Sequence, residues 1–510
     1  MRLQASIKNA GAAVFRQLLT LSLNFISRTV FIYMLGYEYL GVNGLFADLL
    51  SMLSVAELGV GAAIAYAMYK PMADGDERKL YALAMLYRRA YMWIGILMAV
   101  VGVGLTPFLQ LFIKDASGIE NLRIIYLLVL ANSVVTYFFS YKITLLTVAQ
   151  EGYKESLVRS AVSAVQILLQ IVYLVQTKDY IGYLVIQLVA TIVIQMILSG
   201  MAVKKFRFLR EKWDVEIEAE EKSGLFKNIR ALIFHKLGNF FVNGTDNLII
   251  SKMIGLLVNG IYANYLLITK SIRGFTYLIF NALTASVGNL NAMEDKEKVV
   301  DRFDKIYFMG YWMTVFCSVS LLCLLNPFIS LLWGETFDLP VVVVIVLNFY
   351  LAEMRNPVMV FRDAMGLYWY DRFKPLYESL VNIVFSIILG KYLGILGVLI
   401  GTALSAIGVV CWMEPLVLYR HGFGCSCKAF FKKYLHNGLI MVIIAVMTWF
   451  VCGMLVIDGW WGILYRAVLC VIIPNSMLWL LFYRTKEYRY FKQIAVSGIK
   501  KVLSQVHKKR

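Results

Sequence analysis

The sequence predicts an all-α polytopic membrane protein of about fourteen transmembrane helices. It further predicts two six-helix bundles related by a parallel internal repeat, plus two C-terminal helices. Three observations carry this. Of 510 residues, 60% are hydrophobic and only 16% charged, more apolar surface than a soluble domain can hide. The cationic residues are distributed unevenly between the two sides of the apolar runs. A polar stripe in the first run recurs about 219 positions later in a second.

Apolar runs fall near 12–35, 40–66, 90–113, 122–146, 158–177, 181–203, 231–254, 260–287, 306–333, 340–363, 377–391, 394–415, 437–457 and 463–483. The breaks between them are short and barrel-strand alternation is absent, so helices are the element that can span. With the N-terminus in the cytoplasm, most of the 50 Lys and Arg fall in cytoplasmic segments, which places both termini inside. The net charge of +18 is thus chiefly a topology signal. A nucleic-acid partner is not expected, because no basic, aromatic-interleaved soluble domain is present to host one. Met1 to Ala10 carry Arg2 and Lys8 without a cleavable signal pattern, so the first span is expected to stay attached.

The first stripe reads Arg16, Thr20, Asn24 and Ser27/Arg28; the second reads His235, Asn239, Asn243 and Asp246/Asn247. Steps of this size put each set on one helix face. Gly36 and Gly41 follow the first stripe, and Gly255 and Gly260 follow the second. The repeat continues in Pro107-Phe108 with Pro327-Phe328, and in Tyr180-Ile181-Gly182 with Tyr392-Leu393-Gly394. Both halves keep the same orientation, so the repeat is parallel. The expected organisation is an N-terminal six-helix lobe at 1–203, a charged cytoplasmic linker at 204–230 and a C-terminal six-helix lobe at 231–415. Two additional helices at 416–483 and a basic tail at 484–510 complete it. The linker holds an acidic run from Glu216 to Glu221. In the tail, Phe491, Ile494, Ile499, Val502, Leu503 and Val506 recur at helical spacing among lysines, as in an interfacial amphipathic helix; a partner-binding tail is the alternative.

A charge at the centre of a span costs about 2.5–3.5 kcal/mol on insertion scales, so each needs a reason. Counted within spans are Arg16, Arg28, Lys142, Lys236, Lys270, Arg273, Arg355 and Arg466, against the acids Asp48, Glu57, Asp246 and Glu353. Pairing is one reason. Depth matches Arg28 with Asp48, Arg16 with Glu57 and Asp246 with Lys270. Arg466 and Lys236 sit near span ends, where they can snorkel. The acids run out first, and Arg273 and Arg355 are the expected spares. Cations lining a wet cavity would receive an anion, and guanidinium groups bind phosphate through bidentate charge-assisted bonds. Lys142 and Arg355 occupy the matched fourth spans. Asn24 and Asn243 are substrate-contact candidates whose ordinary use, with Thr20 and Asn239, is an interhelical hydrogen bond of about 1 kcal/mol. His235 is a candidate proton carrier, although a His near a span end is commonly interfacial.

No metal or cofactor site is expected. The seven cysteines are scattered, and Cys425 with Cys427 forms a lone C-x-C without zinc-ligand spacing. Phosphate-loop, H-E-x-x-H and G-x-S-x-G motifs are absent, and Asp74-Gly75-Asp76 reads as a solvated turn. The short outer loops leave no room for a catalytic domain, so no enzyme is expected.

The run Arg28-Thr29-Val30-Phe31-Ile32-Tyr33-Met34-Leu35-Gly36-Tyr37-Glu38-Tyr39-Leu40-Gly41-Val42-Asn43-Gly44-Leu45-Phe46, continued by Ser51-Met52-Leu53-Ser54-Val55-Ala56-Glu57-Leu58-Gly59-Val60-Gly61, resembles the N-terminal signature of Wzx-type polysaccharide flippases. These belong to the MOP superfamily, with the MATE exporters and the lipid II flippase MurJ. The resemblance implies a V-shaped pair of bundles in a bacterial plasma (inner) membrane. By alternating access they would carry a polyprenyl-pyrophosphate-linked oligosaccharide to the outer leaflet. It implies a lipid-linked anionic oligosaccharide as partner, with glycan polymerase or glycosyltransferases nearby and with H+ or Na+ coupling left open; a monomer is expected. Arg28, Lys270, Arg273 and Arg355 are the expected pyrophosphate contacts, with Arg16 and Lys142 as further cations. Asp48, Glu57 and Asp246 would pair with them or carry protons. The alternatives are a MATE-type cation or drug antiporter, which should offer acids to its cargo, and a polysaccharide polymerase or ligase, which needs a large outer loop.

Overall fold

The protein is described here from a computed structural model covering residues 21–57, 59–114, 119–211, 213–215 and 245–493. Every regular element among these residues is helical. The helices are α1 Leu21–Leu35, α2 Tyr37–Leu53, α3 Val60–Asp74, α4 Glu77–Leu105, α5 Leu122–Val148, α6 Gly152–Thr177, α7 Tyr180–Lys205, α8 Thr245–Met253 and α9 Leu256–Met293. They continue as α10 Lys296–Trp333, α11 Leu339–Glu353, α12 Asn356–Ala364 and α13 Lys374–Leu393. Then come α14 Ile395–Phe423, α15 Lys428–Gly453 and α16 Gly459–Phe482. Ten helices, counting the α4 and α11–α12 runs as one each, are long and apolar enough to cross a membrane among the described residues. The protein is therefore a multi-pass membrane protein of the predicted all-α class.

Where the sequence predicts one span at 40–66, the chain forms α2, a 3₁₀ turn Ser54–Glu57 and then α3, which starts after Gly59 at φ 81°. The span predicted at 340–363 is likewise two helices, α11 and α12, whose junction holds Met354 and Arg355 before Asn356-Pro357. Proline fits the first turn of a helix, where its missing N–H costs no bond. The helix α14 contains two π-helical stretches, Ala406–Val410 and Leu418–Phe423, on either side of Glu414. Such wide turns rotate the side chains beyond them and occur often at functional sites.

The fold divides into two units, Met1–Ala263 and Asn264–Arg510. In the first, Phe46 and Tyr126 are fully buried and meet edge to face at 5.1 Å. The starts of α2 and α9 touch there backbone to backbone. A Cβ on Gly41 would strike the Leu256 carbonyl, and one on Gly260 would strike the Tyr37 carbonyl. Asn259 Nδ2 donates to the Gly41 carbonyl at 3.1 Å. The matched glycines of the repeat thus pack against matched positions. In the second unit, Phe303 lies at the centre of an aromatic cluster with Tyr307, Phe361, Tyr419, Phe423 and Phe430. That cluster fixes α10, α12, α14 and α15 around the buried charges described below.

Candidate functional site: the intramembrane charges

In the first unit, Glu57 and Asp48 each accept a hydrogen bond from a neutral donor. Glu57, held by the 3₁₀ turn, accepts from the Tyr91 hydroxyl at 2.5 Å. Tyr91 stacks on Tyr87 at 4.3 Å, and both hydroxyls crowd Gly61, so only a residue without a side chain fits there. Asp48 accepts from Asn247 Nδ2 at 2.5 Å. That bond joins the second predicted stripe to the acid that depth-matching assigned to Arg28. Arg28 itself, half-buried on α1, lies beside Tyr183. Asn24 is exposed on α1, and Asp246 is half-buried in the first turn of α8. Arg16, Thr20, His235, Lys236, Asn239 and Asn243 lie outside the described residues.

Cations in this unit are arranged differently. Lys142 Nζ and the Arg88 guanidinium approach the Tyr141 ring at 5.6 and 5.9 Å from its centroid. Neither makes an ion pair among the described residues. An aromatic face attracts a cation by its quadrupole without neutralising it, so both charges stay available to an anion. Sequence reading missed Arg88 because it placed the third span at 90–113, whereas α4 begins at Glu77, capped by Asp76, whose side chain accepts from Lys79 N at 3.0 Å.

The second unit holds its charge in a knot. Arg355 clasps Glu414 through two bonds, Nε to Oε2 at 3.1 Å and Nη2 to Oε1 at 2.9 Å, and its Nη1 lies 3.6 Å from Glu378. Lys374 also donates to Glu414 and lies 3.5 Å from Asp371. Arg362 donates to Asp371 at 2.6 Å and, through two nitrogens, to Asp363 at 3.0 and 2.8 Å. Its Nη1 reaches 3.7 Å from Glu414. Glu414 is only 1% exposed.

The expectation that Arg355 is a spare cation is therefore corrected. The within-span tally omitted Glu378 and Glu414, which arrive from α13 and α14 and neutralise it. Arg273 is also engaged, but loosely. Its Nη2 donates to the Asn348 carbonyl at 3.3 Å, and its Nε lies 3.9 Å from Glu353, whose carboxylate also accepts from Asn356 at 3.0 Å. The Arg273 side chain is 41% exposed, against 4% for Glu353. Lys270, one turn earlier on α9, is exposed and has no ion pair among the described residues. Spacing of three residues places Lys270 and Arg273 on one face of α9.

No family model matches the sequence, and no curated protein matches it. Solved structures do. The fold is similar to that of the lipid II flippase MurJ in an inward closed conformation, with TM-score 0.67 and 12% identity, covering 94% of this chain and 99% of that one. An inward-facing multidrug resistance MATE family transporter of the MOP superfamily gives TM-score 0.58 at 14% identity, over 78% of this chain and 95% of that one. A mutant of the Vibrio cholerae MATE transporter VcmN gives 0.51 at 14% identity, over 80% and 94%. This chain accordingly has the polytopic fold of MOP-superfamily transporters.

Proposed function

We propose that the protein is a flippase that moves polyprenyl-pyrophosphate-linked oligosaccharide units from the cytoplasmic to the outer leaflet by alternating access, for cell-surface polysaccharide. One observation carries the reading: helices α4, α5 and α9 present cations that have no ion pair among the described residues, Lys142 beside Arg88 over Tyr141, and Lys270, one turn before the Arg273 that is paired with Glu353 at 3.9 Å. Unneutralised cations within a membrane-spanning protein need an anionic partner, and a pyrophosphate offers several oxygens to two adjacent donors. The fold likeness to MurJ, described as a lipid II flippase, supports a lipid-linked cargo. The reading takes 1–203 and 231–415 as the two lobes, and a bacterial inner membrane with both termini cytoplasmic. Outward movement of about two negative charges across an inside-negative membrane of about 100 mV releases roughly 4.6 kcal/mol.

The test is translocation of a defined polyprenyl-pyrophosphate glycan by the protein in vesicles, with and without a pH gradient. Lys270→Ala/Arg273→Ala should slow it by about a hundredfold or more, because each of the two charge-assisted bonds contributes about 1.5–3 kcal/mol. Unchanged translocation by a folded double variant would sink the assignment. Efflux of a cationic dye in place of the glycan would favour a MATE-type antiporter.

A further inference from the structure

Cys323, Cys452 and Cys470 are far apart in the chain, yet their sulfur atoms all lie within 4.8 Å of one another. They come from three different helices, α10, α15 and α16. All three are free thiols, 5%, 3% and 1% exposed. Scattered along the sequence, three of the seven cysteines are gathered by tertiary packing. We propose that this triad is a binding site for a soft, thiophilic monovalent cation of the Cu(I) class.

The donor set selects the ion. Three thiols and no carboxylate or imidazole make up the group, and thiolate donors favour Cu(I) over harder cations. Structural zinc takes four ligands in a tetrahedron, and this cluster supplies three. A metal–thiolate bond of about 2.3 Å sets three sulfurs roughly 4 Å apart around a trigonal ion, so the triad needs only a small closure. Binding one Cu(I) with loss of two thiol protons to solvent leaves the site with one negative charge. Arg466 lies one turn before Cys470 on α16, on the same helix face, and brings a positive charge to that face. A bound ion would tie α15 and α16, the two helices predicted to lie outside the duplication, to α10. The inference does not depend on the transported substrate.

The experiment uses the full chain, reduced and anaerobic in detergent, with Cys425→Ser/Cys427→Ser as background because Cys425 is exposed and its C-x-C loop offers a competing site. Cu(I) is titrated against a chromophoric Cu(I) chelator. The expected result is one Cu(I) per chain, a near-ultraviolet thiolate-to-copper absorption band and a higher unfolding temperature. Cys452→Ala, in the last turn of α15, should weaken binding at least tenfold and remove the temperature shift while the chain still elutes as folded protein. Cys323→Ala and Cys470→Ala provide the same readout should that variant fail to fold. Stoichiometric binding unchanged by these substitutions, or no binding in the background protein, would overturn the site and leave three small apolar side chains at a helix junction. A disulfide joining any two of the three in the isolated protein, read as a loss of two hydrogens by mass spectrometry, would overturn it as well.

Discussion

The two units treat intramembrane charge in opposite ways. In Met1–Ala263, acids rest on hydroxyl and amide donors, Glu57 on Tyr91 and Asp48 on Asn247, while Lys142 and Arg88 lean on the Tyr141 ring. In Asn264–Arg510, Arg355, Arg362 and Lys374 are bound by Glu414, Glu378, Asp371 and Asp363 in one buried knot. On α9, Lys270 and the half-exposed Arg273 stand apart from it. The difference separates charge neutralised within the fold from charge without a carboxylate partner among the described residues. A count of cations against acids cannot make that separation; partner geometry does.

The largest effect should come from cutting the knot. Arg355→Met or Glu414→Leu alone removes one member of the buried network and breaks its bidentate pair, which should cost about 3–5 kcal/mol. The double variant should recover part of the loss, because the two residues share one interaction. Thermal unfolding in detergent, followed by tryptophan fluorescence, reads both. Single variants as stable as the parent would erase the contrast between the units. A smaller loss, about 1–3 kcal/mol, is expected for Tyr91→Phe, which takes a donor from the half-buried Glu57; the same unfolding measurement checks it. The smallest effect on stability should follow Arg88→Ala and Lys142→Ala, within about 0.5 kcal/mol, since neither has a carboxylate to strand. Their effect should appear in glycan translocation. A stability loss comparable to that of Arg355→Met would show that these cations also serve the fold.

Much of this was legible beforehand. The matched Gly36 and Gly255 mark helix breaks, with φ 87° and φ 136°, conformations that favour glycine, and Gly41 and Gly260 lie one turn into the helices that follow. The reciprocal crossing of Gly41 and Gly260 turns that repeat into a contact. Helix starts were less legible. Hydropathy placed the third span thirteen residues after the true start of α4 at Glu77 and so excluded Arg88. The role of Arg355 could not be read locally, because its partner Glu414 lies 59 residues away on another helix.

Composition, periodicity and the repeat determined the all-helical membrane fold, because apolar runs in lipid must satisfy their own backbone bonds. Which cations are neutralised, and which cysteines meet, was decided by tertiary structure alone. Ion pairing and thiol coordination depend on ångström-scale approach between side chains from helices remote in sequence, and neither charge nor residue type specifies that distance.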